Sequence, residues 1–187
     1  MGTLIDKLAD WDVALQPAQF PYWQESIAAS FVVSRVEAAT FHQPWLSTHH
    51  EQYGDDVRTL LEVGQQLTGT EYVQSLRMRQ QVAEAYRALF SQVDFLISPT
   101  MAMVAPPLSA PPERTQLTQF TSPLNLVGLP ALSFPIWGTS PLPAGLQIIA
   151  PWGQESALLQ FAQGLEQLMG SPRPSPMLDP QSSQVPK

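Results

Sequence analysis

Asp94-Phe95-Leu96-Ile97-Ser98-Pro99-Thr100 opens the stretch that decides the fold. After a proline-rich segment it continues Phe120-Thr121-Ser122-Pro123-Leu124-Asn125-Leu126-Val127-Gly128-Leu129-Pro130-Ala131-Leu132-Ser133-Phe134-Pro135. It closes on Leu142-Pro143-Ala144-Gly145-Leu146-Gln147-Ile148-Ile149-Ala150. Three short apolar runs stand between Pro and Gly punctuation. Runs of this length and composition read as buried strands, and Pro99 sets the end of the first. Phe95–Ser98, Ala131–Ile136 and Ala144–Ala150 are therefore expected strands, with turns at Gly138–Pro143. Residues 99–114 hold five prolines and are expected to be irregular.

Working outward, helical periods flank these runs. From Tyr22 to His42 apolar residues recur at Trp23, Ile27, Phe31, Ala38 and Phe41, and Pro44 is expected to end the helix. Asp55 and Asp56 open a second helix at the positive end of its dipole, ending near Thr68-Gly69. Glu71–Gln92 is the longest helix, and Gln154–Met169 the most regularly amphipathic. Thr115–Leu126 reads as helix kinked or limited by Pro123. Leu4–Ala9 reads as the end of a helix, and Trp11–Leu15 as a short strand. The sum is an α/β chain of three to four strands and about five helices. Residues 1–170 form the domain. Residues 171–187, with five prolines, form an expected disordered tail.

The 187-residue chain is 44% hydrophobic and only 13% charged, with net charge −7. Typical soluble domains carry about 25% charged residues, so further protein is expected to cover part of this surface. The acidic balance argues against nucleic-acid binding, which needs clustered Lys and Arg. The only lysines are Lys7 and Lys187. With no cysteine, disulfides, thiolate metal sites and Cys nucleophiles are excluded. No apolar run reaches the roughly 18 residues of a membrane span, and the N-terminus lacks the pattern of a signal peptide. The expected address is cytoplasmic.

Few residues carry chemistry by spacing. No Gly-x-Ser-x-Gly elbow is present. Ser26, Ser30 and Ser34 share helical spacing with no base near them in sequence. His42, His49, His50, Glu51, Asp55 and Asp56 cluster locally without a standard metal spacing, and read as a polar loop leading into an acidic helix start. No Gly-rich loop follows a strand, so no nucleotide cofactor is expected. Arg77 and Arg79, near Glu71 and Glu84, read as a solvated face or a carboxylate clamp.

The central stretch nevertheless resembles a family. Asp94–Thr100, then Phe120-Thr121-x-Pro123-x-Asn125-Leu126-x-Gly128-Leu129-Pro130-Ala131, then Leu142–Ile148, then Glu155-Ser156-Ala157-Leu158-Leu159 with Glu166, look like the C-terminal part of the amidase signature family. That family includes amidases and the A subunit of the tRNA-dependent amidotransferase. Upstream, Tyr53-Gly54-Asp55-Asp56-Val57-Arg58, Gly64, Thr68, Tyr72 and Arg79, with Glu37-Ala38 and His42, extend the likeness over residues 4–169. The resemblance implies a C-terminal portion of a mixed sheet flanked by helices, and hydrolysis of a carboxamide without a cofactor. It implies that the two serines and the lysine of catalysis lie in another, N-terminal portion, since no position here matches them. No catalytic residue is carried over.

What carries over is pocket lining, by Thr118, Thr121 and Ser122. The alternative is that these hydroxyls only cap or turn the backbone before Pro123. Thr118, Thr59 and Leu60 depart from the amidotransferase pattern, which has an Asp near position 118 and basic residues after position 58. This favours the general amidase branch. The implied partners are a complementing N-terminal portion or a second copy, and an amide substrate in the complete enzyme. The other reading is a non-catalytic interaction subunit or degenerate remnant that binds through an exposed sheet edge.

Overall fold

The computed structural model describes Leu8, Trp11 and residues 13–20, 22–137 and 142–170. The expected helix at Leu4–Ala9 (Leu8 excepted), most of the Gly138–Pro143 turn and the 171–187 tail lie outside these residues.

Among the described residues six α-helices and three strands follow in order: α1 Trp23–Leu46, α2 Asp55–Gln66, α3 Gly69–Phe90, β1 Leu96–Pro99, α4 Arg114–Thr118, α5 Ser122–Val127, β2 Ala131–Ile136, β3 Ala144–Ile149 and α6 Glu155–Met169. The sheet order is β1-β3-β2 and both pairings are antiparallel. Leu96 faces Ile149 and Ser98 faces Gln147 across β1–β3; Ser133 also faces Gln147 across β2–β3. β3 is thus the central strand, and its residues 146–149 are all buried.

Side chains alternate across a strand, so β3 serves two cores. Leu146, Ile148 and Ala150 pack with Phe134 of β2, Leu158 and Leu165 of α6, and Leu8. Ile149 joins Ala29 and Val33 of α1, Val82 and Tyr86 of α3, and Leu124, Leu126 and Val127 of α5. The result is three layers: α1, α3 and α5, then the sheet, then α6.

Two glycines let elements approach. A Cβ at Gly64 of α2 would stand 2.2 Å from the Arg35 carbonyl oxygen and 2.8 Å from the Ala39 Cβ. Only a bare backbone lets α2 seat this closely on α1. A Cβ at Gly145 would stand 2.7 Å from the Thr100 Oγ1 and 2.8 Å from the Ser133 Oγ. Those hydroxyls hydrogen-bond to each other at 2.7 Å across the central strand.

Three expectations are corrected. α1 runs through Pro44 to Leu46. A proline this near the end removes one backbone hydrogen bond, while Leu46 is buried and the Thr48 and His49 N–H groups close the turn on the Trp45 carbonyl. Residues 13–15 form no strand; Trp11 instead stacks on Phe161 at 5.4 Å, its ring lying over Gly164. The helix expected over Thr115–Leu126 is two short helices, with Pro123 in the first turn of α5. Lacking an N–H, Pro123 fits a helix start and not its interior. Gly128 ends α5 in the left-handed conformation, φ 70°, and its N–H bonds the Leu124 carbonyl at 2.8 Å.

Candidate functional site

An open cleft of about 330 Å³ lies between α1, α2, α4 and α5. Its α1 wall is one helical face, Ser30, Phe31, Ser34, Arg35 and Ala38. Leu60 and Leu61 of α2 close one side. The other wall is Arg114 and Thr118 of α4, then Thr121, Ser122 and Asn125. The short break before Pro123 delivers these side chains: α4 presents Arg114 and Thr118 one turn apart, and α5 restarts the spacing at Ser122.

The three residues singled out by resemblance, Thr118, Thr121 and Ser122, therefore line one cleft. The two threonine hydroxyls also serve the backbone. Thr118 Oγ1 donates to the Arg114 carbonyl at 3.1 Å, and Thr121 Oγ1 donates to the Thr118 carbonyl at 3.2 Å. A hydroxyl whose proton is committed to a carbonyl still offers its lone pairs as an acceptor.

Arg35 and Arg114 carry no mark in the sequence. Arg35 Nη1 donates to the Phe31 carbonyl at 3.2 Å, and its guanidinium lies 4.7 Å from the centre of the Phe31 ring. Partial burial, and then the positive charge of Arg114, hold the Arg35 guanidinium below its ordinary value. It stays charged at neutral pH, because an arginine starts so far above it. The signal available was the i, i+4 pairing of Ser30 with Ser34 beside Arg35, which gains meaning only when α4 is seen opposite. Among the described residues, none lining the cleft is a histidine, lysine, aspartate or glutamate.

A second cavity of about 290 Å³ sits against β1, walled by Phe20, Trp23, Tyr86, Phe120 and Leu96. The Gln147 side-chain amide is its polar floor, and donates to the Ser98 Oγ at 3.1 Å and the Phe120 carbonyl at 2.9 Å. Burial pushes the Tyr86 phenol up, so it stays protonated and packs as a ring against Phe20 at 4.2 Å.

The remaining polar candidates lie apart from the cleft. His42 Nδ1 meets the Tyr53 hydroxyl at 3.0 Å, and His50 Nε2 lies 3.3 Å from Glu62. Asp55 pairs with Arg58. Among the described residues no three His, Asp or Glu side chains converge, and no helix is long and apolar enough to cross a membrane. Arg77 and Arg79 do not line the cleft. Glu71 instead closes the start of α3: Thr68 Oγ1 accepts from the Glu71 N–H, and the Glu71 carboxylate accepts from the Thr68 N–H at 2.7 Å.

Comparison with known proteins assigns this three-layer α/β unit and its hydroxyl-lined cleft to a family. The amidase family model matches residues 1–159, and the chain belongs to that family. It is 35% identical over 133 residues to a fatty acid amide hydrolase of Medicago truncatula, covering 65% of this chain and 22% of that protein. It is 32% identical over 141 residues to an amidase of Pseudomonas putida, covering 70% of this chain and 30% of that one. The A subunit of the glutamyl-tRNA(Gln) amidotransferase of Thermus thermophilus is 28% identical over 182 residues, covering 83% of this chain and 38% of that protein. Among solved structures, that of an amidase superposes with a TM-score of 0.83 at 25% identity, over 90% of this chain and 41% of that one. The chain thus spans 22% to 38% of the length of these curated relatives. The fold is a portion of the amidase fold.

Proposed function

We propose that this chain forms one wall of an amidase active site, holding a carboxamide for hydrolysis to carboxylate and ammonia or amine. The nucleophile and its base come from a separate portion of polypeptide. The observation that carries this reading is the cleft itself. Thr118, Thr121, Ser122, Ser30 and Ser34 supply it with hydroxyls, and Asn125 lies beside them. Among the described residues its lining includes no side chain able to take a proton from a serine near neutral pH. A wall of this kind binds and orients an amide, and a group in the opposite wall must attack it.

The test is complementation. The chain is co-expressed with a Gly/Ser-rich, lysine-bearing amidase portion, and release of ammonia from simple aliphatic and aromatic amides is measured. The expected result is turnover by the pair, with KM raised several-fold by Thr118→Val or Ser122→Ala. Turnover by the pair that is indifferent to both substitutions overturns the wall assignment.

A second reading rests on a different surface. Ala131, Ser133 and Pro135 of β2 are exposed on the sheet face opposite α6. A non-catalytic subunit that binds a partner through this sheet predicts a stable complex without turnover.

A further inference from the structure

We propose that the C-terminal end of α1 is a docking surface for a basic protein segment, which lays an apolar side and Lys or Arg side chains over Phe41 and Trp45. The inference goes beyond the amide-binding reading and does not depend on it.

Phe41 and Trp45 are 66% and 46% exposed. They stand one turn apart on α1, with ring centres 5.6 Å from each other. His42 packs edge-on against Phe41 at 5.2 Å and against Tyr53 at 5.5 Å. Its Nδ1 also meets the Tyr53 hydroxyl at 3.0 Å. The four rings therefore form one preassembled cluster, and two of them face solvent. Aromatic anchors held in place before a partner arrives carry much of the binding energy of protein interfaces, because little side-chain freedom is left to lose.

The charge around the rings selects the occupant. From residue 37 to residue 62 the chain has five carboxylates, Glu37, Glu51, Asp55, Asp56 and Glu62, and no Lys or Arg except Arg58, which pairs with Asp55. Glu37 precedes Phe41 by one turn of α1 and is held there by the Tyr72 hydroxyl, which donates to it at 3.1 Å. Glu51 and Asp55 stand two residues to either side of Tyr53, and both are almost fully exposed. A second copy seated on this face by two-fold symmetry would bring like charges together. An anionic lipid surface would be repelled in the same way. A segment rich in Lys and Arg is attracted. The rings point to the same partner. The chain's own guanidiniums lie over two other rings, Arg35 over Phe31 at 4.7 Å and Arg87 over Trp152 at 5.0 Å. Among the described residues no cation covers Phe41 or Trp45, so these faces remain open to a cation from outside.

Backbone amide resonances of the whole chain are followed by NMR as one of two amphipathic peptides of about four helical turns is added, one made of Leu and Lys, the other of Leu and Glu. The expected result is that the Lys peptide perturbs residues 37–62 at concentrations about tenfold lower than the Glu peptide does, an advantage that shrinks as salt is raised. Phe41→Ser and Trp45→Ser are each expected to weaken the Lys peptide about fivefold or more. Glu51→Gln combined with Asp56→Asn leaves the rings in place and is expected to reduce the salt dependence. Both carboxylates are exposed, so this variant keeps the test intact if a ring variant misfolds. Equal responses to the two peptides, a Lys-peptide response centred elsewhere, or one indifferent to these substitutions overturns the proposal, as does no response at all. Dimerisation abolished by Phe41→Ser would give the face to a second copy, and binding to phosphatidylglycerol vesicles through residues 37–62 would give it to a membrane. Loss of the Lys-peptide response when the complementing amidase portion is added would give it to that portion. Each of these three results also overturns the proposal, whereas the amide wall stands or falls by complementation.

Discussion

The two faces of the central strand are built for different purposes. Toward α6, Leu146, Ile148 and Ala150 are at most 1% exposed and meet only apolar partners. Toward α1, α3 and α5, the same strand presents Gln147 and Gly145 beside Ile149. That face is wired by the side-chain hydrogen bonds of Gln147, and the second cavity lies against it. The first face is closed, and its stability comes from burial. The second also buries Ile149 in a core, but it is partly open at the second cavity and carries polar links, the Gln147 amide and the Thr100–Ser133 hydroxyl pair. The proposed binding residues lie beyond that face, on α1, α4 and α5. Such a division lets a half-built pocket sit on a fully built core.

The sharpest way to break this contrast is in the closed face. Leu165→Ala removes a side chain with no exposure, and is expected to cost about 2–5 kcal/mol, read as a lower urea midpoint with unchanged slope. Gly64→Ala comes next. Its added methyl meets the Arg35 carbonyl, and overpacking of this kind costs about 1–3 kcal/mol. It is also expected to weaken ligand responses at residues 30–38, because α1 carries that wall of the cleft. In the open face, Gln147→Met keeps the volume and removes both hydrogen bonds, for a loss of about 1–3 kcal/mol. Its thermal unfolding should fall while the α6 face keeps its amide-exchange protection. Equal loss of protection on both faces would dissolve the distinction.

The smallest effect concerns acid. The Thr68 backbone and side-chain hydrogen bonds hold the Glu71 carboxyl below its usual range. A carboxyl depressed in the folded state stabilises above its unfolded pKa, and that contribution is lost as pH falls through the folded one. Glu71→Ala is therefore expected to lower the urea midpoint slightly at pH 7, and the gap to the parent chain is expected to narrow as the pH is lowered through the acid range.

Much of this was legible. The β1, β2 and β3 runs and the amphipathic period of α6 follow from local patterning, because each buries a whole face or stripe. The errors fall where tertiary contacts outweigh local rules. Pro44 failed to stop α1 because burial of Leu46 holds the last turn. Val13 and Leu15 fall on one face as in a strand, yet residues 13–15 form none and Trp11 is held by stacking on Phe161. Pro123 signalled a break, but its consequence, one helix wall split so that Arg114, Thr118 and Ser122 face the same space, is a fact of packing. Arg35 was invisible for the same reason. A lone arginine on a helix has no meaning until the element opposite it is known.

In the proposed function this chain binds an amide and does not by itself cleave it. Ammonia release by the purified, monomeric chain, at amide concentrations well above those that perturb the cleft, tests this most directly. The expected rate is that of buffer alone, rising only when the complementary portion is added. Turnover by the chain alone, abolished by substitution of one of its own serines, would contradict it.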